Sequence, residues 1–168
     1  MHAHLAWHYY MAKEFGEALS QAERVIKMEP SFHWGHFFAG WALERLGRAD
    51  EAISALREAA RCSANNPAML AGFGHGLAAA QNRREALRVI GELRQLRGRK
   101  GIFAYEIGII HAALGDRDAA FEWLTRAVHE RSGWGAYLRV DPRLDEVRAD
   151  PRFRGLEANV LRLSALQK

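Results

Sequence analysis

A single cysteine, Cys62, stands among 168 residues. That scarcity excludes an intrachain disulfide and, with it, a disulfide-stapled secreted fold. Proline is nearly as scarce, with four residues. Alanine, leucine, arginine and glutamate dominate, a composition that favours helices over strands. No apolar run approaches the 18 or so residues of a membrane span. The opening Met1-His2-Ala3-His4-Leu5 lacks the basic stretch and apolar run of a secretory signal. The chain is therefore expected in the cytoplasm, or in the periplasm if its parent is membrane-anchored, with no membrane contact of its own. An excess of charge is missing too. Lys plus Arg number 24 against 20 acids, a net charge of +4. The basic balance speaks for solubility before it speaks for nucleic acid.

Signatures of catalysis are also missing. No serine sits in a nucleophile-elbow context and no HExxH motif occurs. Gly72-Phe73-Gly74-His75-Gly76 superficially suggests a phosphate loop. Such loops need a preceding strand and, in the P-loop case, a following lysine and hydroxyl. Close helix packing is the expected role of these glycines, at a cost of about 1 kcal/mol each against alanine. That cost makes the surrounding helix the expected soft point of the chain. His4 and His8 lie one helical turn apart, and surface histidines are preferred there over a metal pair. Cys62 is expected to be a small buried hydrophobe. Asp50-Glu51 and Asp145-Glu146 suit the first turns of helices, where acids favour the dipole. No enzyme activity, cofactor or metal is expected.

What is present is a period. Ala18, Ala52, Ala86 and Ala120 recur every 34 residues, as do Ala6, Gly40, Gly74 and Gly108 upstream of them. A fixed period of this length signals stacked supersecondary units. With position 1 at His33, Pro67 and Gly101, each period splits into two amphipathic halves, positions 1–14 and about 18–31. Breakers separate the halves: Leu46-Gly47-Arg48-Ala49-Asp50, Gln81-Asn82-Arg83 and Leu114-Gly115-Asp116-Arg117. Gly47 and Gly115 suit left-handed helix ends, while the Asn and Asp residues suit N-caps or turns. Pro30, Asn66-Pro67 and Gly98 mark the ends of successive units. Small residues at positions 8 and 20 allow two helices to approach closely, with Leu43, Leu77, Phe73 and Ile107 filling the space around them. Each hairpin leaves an apolar face that only a stacked neighbour can bury. Enlarging Ala52 or Ala86 to leucine should overpack a hairpin by about 1–3 kcal/mol.

This pattern resembles the tetratricopeptide repeat. The residues that carry the likeness are Gly40, Gly74 and Gly108 at position 8, Tyr9, Leu43 and Leu77 at position 11, the four alanines at position 20, and Pro30 at position 32. The tryptophan frequent at position 4 of that family is replaced by His2, His36, Leu70 and Ala104. The resemblance implies an all-α, right-handed superhelical solenoid. Its four helix pairs would span 1–32, 33–66, 67–100 and 101–134, and 135–168 would be a capping helical segment. The first repeat begins at position 3, which puts Met1 inside a helix and suggests a piece of a longer protein or an abrupt start. Beyond residue 134, Asp141-Pro142 and Asp150-Pro151 each read as an N-cap followed by a first-turn proline. They predict a short helix near 142–147 and a longer one near 151–165. The second would lay Phe153, Leu156, Val160, Leu161 and Leu163 on the last hairpin. This closing stretch, with Phe121-Glu122-Trp123-Leu124 and Ala127 before it, resembles the end of bacterial signalling proteins. In those, such stacks follow a kinase, cyclase or winged-helix domain.

The resemblance also implies a concave face lined by the first helix of each repeat. Its candidate ligand residues are Trp7, Tyr10, Trp34, Phe37, Trp41, His75 and Tyr105, with Ile102 among their neighbours. Two uses stand open for these aromatics: contact with a protein or peptide partner, or packing against one another across adjacent helices. As an anchor, Trp41 would contribute on the order of 2 kcal/mol, about 30-fold in affinity. The positions that hold a chaperone tail's carboxylate in some relatives are mostly apolar or aromatic here, so no such clamp is expected. Self-association, with the groove filled by a second copy or a chain end, is the alternative. A basic strip on Arg83, Arg84, Arg94, Arg97, Arg99 and Lys100 is read as solvated arginine before it is read as a nucleic-acid surface.

Overall fold

The computed structural model of the chain describes residues 2–100, 103–130, 132 and 137–165. These form nine α-helices and one well-defined 3-10 helix, with no strand among the described residues. The helices are α1 (His2–Met11), α2 (Phe15–Met28), α3 (His33–Arg45), α4 (Ala49–Cys62), α5 (Pro67–Ala79), α6 (Arg83–Lys100), α7 (Ala104–Ala113), α8 (Arg117–His129) and α9 (Pro151–Ala165). The 3-10 helix spans Pro142–Val147, between α8 and α9. No helix among the described residues is long and apolar enough to cross a membrane.

Antiparallel pairs α1/α2, α3/α4, α5/α6 and α7/α8 stack in order, making an all-α solenoid. Contacts between α1 and α3, α3 and α5, and α5 and α7 bring the first helices together on the inner face. α9 packs on α8 and closes the end of the stack. Phe153 and Leu156 are buried there, but Leu161, expected to face the last hairpin, is 60% exposed. One further residue along the helix turns it off the face that Leu156 and Val160 share. Leu163, Ile102, Met1 and the basic residues Arg97, Arg99 and Lys100 fall outside the described side chains or residues. α6 itself continues to Lys100, past the end expected at Gly98.

The turn inside each pair repeats in phase. Position 15 is left-handed four times: Lys13 (φ 63°), Gly47 (77°), Gln81 (61°) and Gly115 (75°). Around it the amides of Glu14, Arg48, Asn82 and Asp116 donate to the carbonyls of Tyr9, Leu43, Leu77 and His111, at 2.8–3.0 Å. This is the six-to-one bond of a Schellman ending. Gly47 and Gly115 thus have the expected role, while Lys13 and Gln81 adopt the same geometry because the bonding pattern demands it. The acids in these turns make no side-chain cap, although Asp116 stands at the N-cap position of α8. Asp50 lies within the first turn of α4, and the Asp116 carboxylate binds Arg83 instead of an amide.

Small residues set the helix separations. A methyl on Gly40 would collide with the side chain of Leu56, and one on Gly108 would lie 2.8 Å from Leu124 Cγ. Both leucines are fully buried and come from the second helix of the same pair. The three glycines of α5 are equally occupied. A methyl would strike the Phe37 ring at Gly72, Val89 and Ile110 at Gly74, and Leu56 at Gly76. The expected penalty against alanine therefore does not apply at Gly72. Alanine would have to displace a buried aromatic ring.

Candidate functional site

The inner face of the first helices carries a run of rings. Trp34 stacks on Phe38 with centroids 5.5 Å apart and meets Phe37 edge-on at 5.5 Å. Phe37 lies 4.3 Å from Trp41, and Trp41 lies 5.2 Å from Tyr10. Helical pitch brings Tyr10, Trp34, Phe37 and Trp41 into one run of rings.

Most of that surface is covered by the chain itself. Residues 137–147 run across the inner face, and the 3-10 helix packs on α7. Asp141 caps that helix by accepting from the Arg143 amide at 3.0 Å, with Pro142 at its first position. The same carboxylate accepts from the Tyr105 hydroxyl at 2.7 Å and from the Arg143 guanidinium at 2.6 Å. The guanidinium lies over the Trp41 ring, 4.0 Å from its centroid. Asp145 reaches the first two repeats, pairing with Lys13 at 2.8 Å and Arg45 at 3.5 Å. Leu144 and Val147 are buried beneath.

Asp141 and Arg143 form an ion pair removed from water. Burial alone would favour the neutral acid. The nearby guanidinium charge and the bonds from Arg143 and Tyr105 outweigh it and hold Asp141 below the usual carboxylate range. Burial and the adjacent Asp141 charge push the Tyr105 hydroxyl well above its ordinary value. Burial, with the Glu44 charge next in size, does the same to Tyr10.

The consequence for the candidate residues is direct. Tyr10, Phe37, Trp41, His75 and Tyr105 are all buried, Trp41 being 1% exposed. His75 Nδ1 lies 2.8 Å from Glu44 Oε2, linking α5 to α3. These five are packed within the protein and do not form an open groove. In the folded chain Trp41 touches its own Arg143, so it is no exposed anchor. Sequence reasoning read Asp141 as a cap and missed its role on the inner face. The unusual buried arginine two residues later carried no signal of its own.

Trp7 and Trp34 remain partly exposed, and between them lies an open cavity of about 640 Å³. Ala3 and His4 of α1 flank Trp7, Phe32 and Phe38 flank Trp34, and Tyr137 closes the side toward the covered face. Tyr137 meets Trp7 edge-on at 5.0 Å. The Trp7 indole N–H is itself shielded from solvent and has no acceptor among the described residues. His4 and His8 are exposed, as expected for surface histidines.

The basic strip is interrupted by acids. Arg83 pairs with Asp116 at 2.9 Å, Arg88 is shared between Glu85 and Glu92, and Arg94 lies over the Trp123 ring.

Compared with known proteins, residues 5–67 and 72–136 match the family described as Tetratricopeptide repeat, well over half of the chain. No curated protein matches the chain.

Proposed function

Because this chain belongs to the tetratricopeptide repeat family, whose repeats generally mediate protein–protein interaction and scaffolding, we propose that it is a protein-binding module working through the Trp7–Trp34 cavity. Its occupant is an aromatic or branched aliphatic side chain on an extended segment of a partner protein. The observation that carries this reading is the selective opening of the inner face. Residues 141–147 fill its centre, whereas among the described residues the aromatic end at α1 and α3 keeps an open cavity.

Three features support the chemistry. The cavity wall is aromatic on both sides, and exposed Trp and Tyr are frequent binding anchors. The cavity is bounded by His4 as well as by rings, so a polar group of the partner's backbone finds an imidazole at its edge. The same face already holds a polypeptide segment, the chain's own, with Tyr137 against Trp7. The likeness of the closing stretch to bacterial signalling proteins supports a further step: the module regulates an output domain by recruiting a partner to it.

Selection of random peptides displayed on phage against the full chain tests the proposal. Enriched peptides should carry an apolar anchor and lose about 30-fold in affinity toward Trp34→Ala, on the order of 2 kcal/mol. Equal affinity for wild type and Trp34→Ala defeats the reading. A concentration-dependent dimer abolished by Trp34→Ala would replace it with self-association.

A further inference from the structure

In the second repeat, three side chains of different chemistry converge. A ring nitrogen of His36, a carboxylate oxygen of Glu58 and the sulfur of Cys62 all lie within 4.8 Å of one another. His36 comes from α3, whereas Glu58 and Cys62 stand one turn apart on α4. Cys62 Sγ is 3.4 Å from Glu58 Oε1. Far from being an inert hydrophobe, the cysteine is half-buried and hydrogen-bonded to a carboxylate.

The geometry points to a binding site for one borderline divalent transition-metal ion, of the Zn²⁺ class, held by His36, Glu58 and Cys62 with water in the fourth position. Ligand distances of about 2.0–2.3 Å place tetrahedral donors roughly 3.3–3.8 Å apart. The sulfur–oxygen pair, at 3.4 Å, already has that spacing, and the remaining pairs, within 4.8 Å, close by small side-chain rotations. Imidazole nitrogen, thiolate and carboxylate together suit zinc, while a lone thiolate in the set disfavours magnesium or calcium. His36 is also oriented from outside: its Nε2 lies 2.7 Å from the Pro30 carbonyl. Donation to that carbonyl leaves Nδ1 with a free lone pair, the arrangement that fixes the tautomer of metal-bound histidines.

The trio belongs to this repeat alone. The positions of His36, Glu58 and Cys62 hold His2, Arg24 and Met28 in the first repeat, Leu70, Glu92 and Leu96 in the third, and Ala104, Arg126 and Glu130 in the fourth. Only the second assembles three donors. An ion there would tie the Pro30 turn and the start of α3 to the end of α4.

Two groups compete with the ion. Arg61 grips both Glu58 oxygens, at 2.8 and 2.5 Å, and its exposed side chain must swing into solvent. Cys62 is a thiol whose pKa burial raises, with Glu58 reinforcing the effect. Coordination therefore proceeds as the divalent ion displaces one thiol proton to solvent: the S–H bond breaks, the metal–sulfur bond forms, and the site gains one net positive charge. Binding strengthens as pH rises.

Cobalt titration of the full chain in a non-thiol reductant provides the test. Because Cys62 is the sole cysteine, any thiolate-to-cobalt charge-transfer absorption must come from it. The expected result is one Co²⁺ per monomer, displaced by Zn²⁺, with the band absent in Cys62→Ser. His36→Gln and Glu58→Gln should each weaken binding about tenfold or more, and Arg61→Ala should strengthen it. Circular dichroism of each variant verifies that the helices remain. Absence of the band overturns the site. So does a band whose affinity is the same in His36→Gln and Glu58→Gln, or one that appears at half an equivalent with dimerisation through Cys62.

Discussion

The guanidinium of Arg143 lies 4.0 Å from the centre of the Trp41 ring while donating to Asp141 at 2.6 Å, and all three residues are buried. This stacked ion pair locks the closing segment onto the inner face. It turns most of the aromatic face into core, while the Trp7–Trp34 end keeps an open cavity among the described residues.

Removing one member of the pair should therefore act on stability. Arg143→Ala leaves Asp141 buried without its counter-charge, and urea denaturation should show a loss of about 3–5 kcal/mol. Replacing both residues together, as Asp141→Leu with Arg143→Met, should cost less than the sum of the single changes. Strict additivity would mean that the two residues do not act as a unit.

The pair also sets a response to acid. Asp141 titrates below its ordinary range in the folded chain, so the folded state binds that proton less readily than the unfolded chain. Its contribution is complete above the unfolded value, near pH 4, and is lost as pH falls through the lower folded value. Unfolding midpoints measured between pH 7 and pH 3 should drop more steeply for wild type than for Asp141→Asn. Parallel curves would assign the acid sensitivity to other carboxylates.

Glycines in α5 and α6 should respond in opposite directions. Gly72→Ala drives a methyl into the buried Phe37 ring and should destabilise by about 1–3 kcal/mol. A methyl on Gly91 meets nothing within 4 Å, so Gly91→Ala should stabilise by roughly 0.5–1 kcal/mol through the unfolded chain and helix propensity. Thermal midpoints of the two variants that move the same way would contradict the packing described for α5.

Much of the architecture is legible in the letters because it is local and repeats. The 34-residue phase of Ala18, Ala52, Ala86 and Ala120 reports where two helices must come close, and all four alanines are buried. Gly47 and Gly115 mark left-handed turns. Asn66, Asp141 and Asp150 accept amide bonds at the helix starts that their following prolines announce. These features depend on residues a few places apart, or on one hairpin meeting the next. Periodic patterns encode both.

Only the folded chain decides where distant pieces meet. Trp41 and Arg143 are separated by three helix pairs' worth of sequence, and no periodicity links them; the stacking of the pairs brings the closing segment within reach of α1, α3 and α7 at once. That crossing determines which aromatics are core and which face solvent. Likewise His36 meets Glu58 and Cys62 because two helices cross at one angle. Helical phase says which side a residue occupies on its own helix. Exposure depends on what else arrives there, and that is settled by non-local packing of the whole chain.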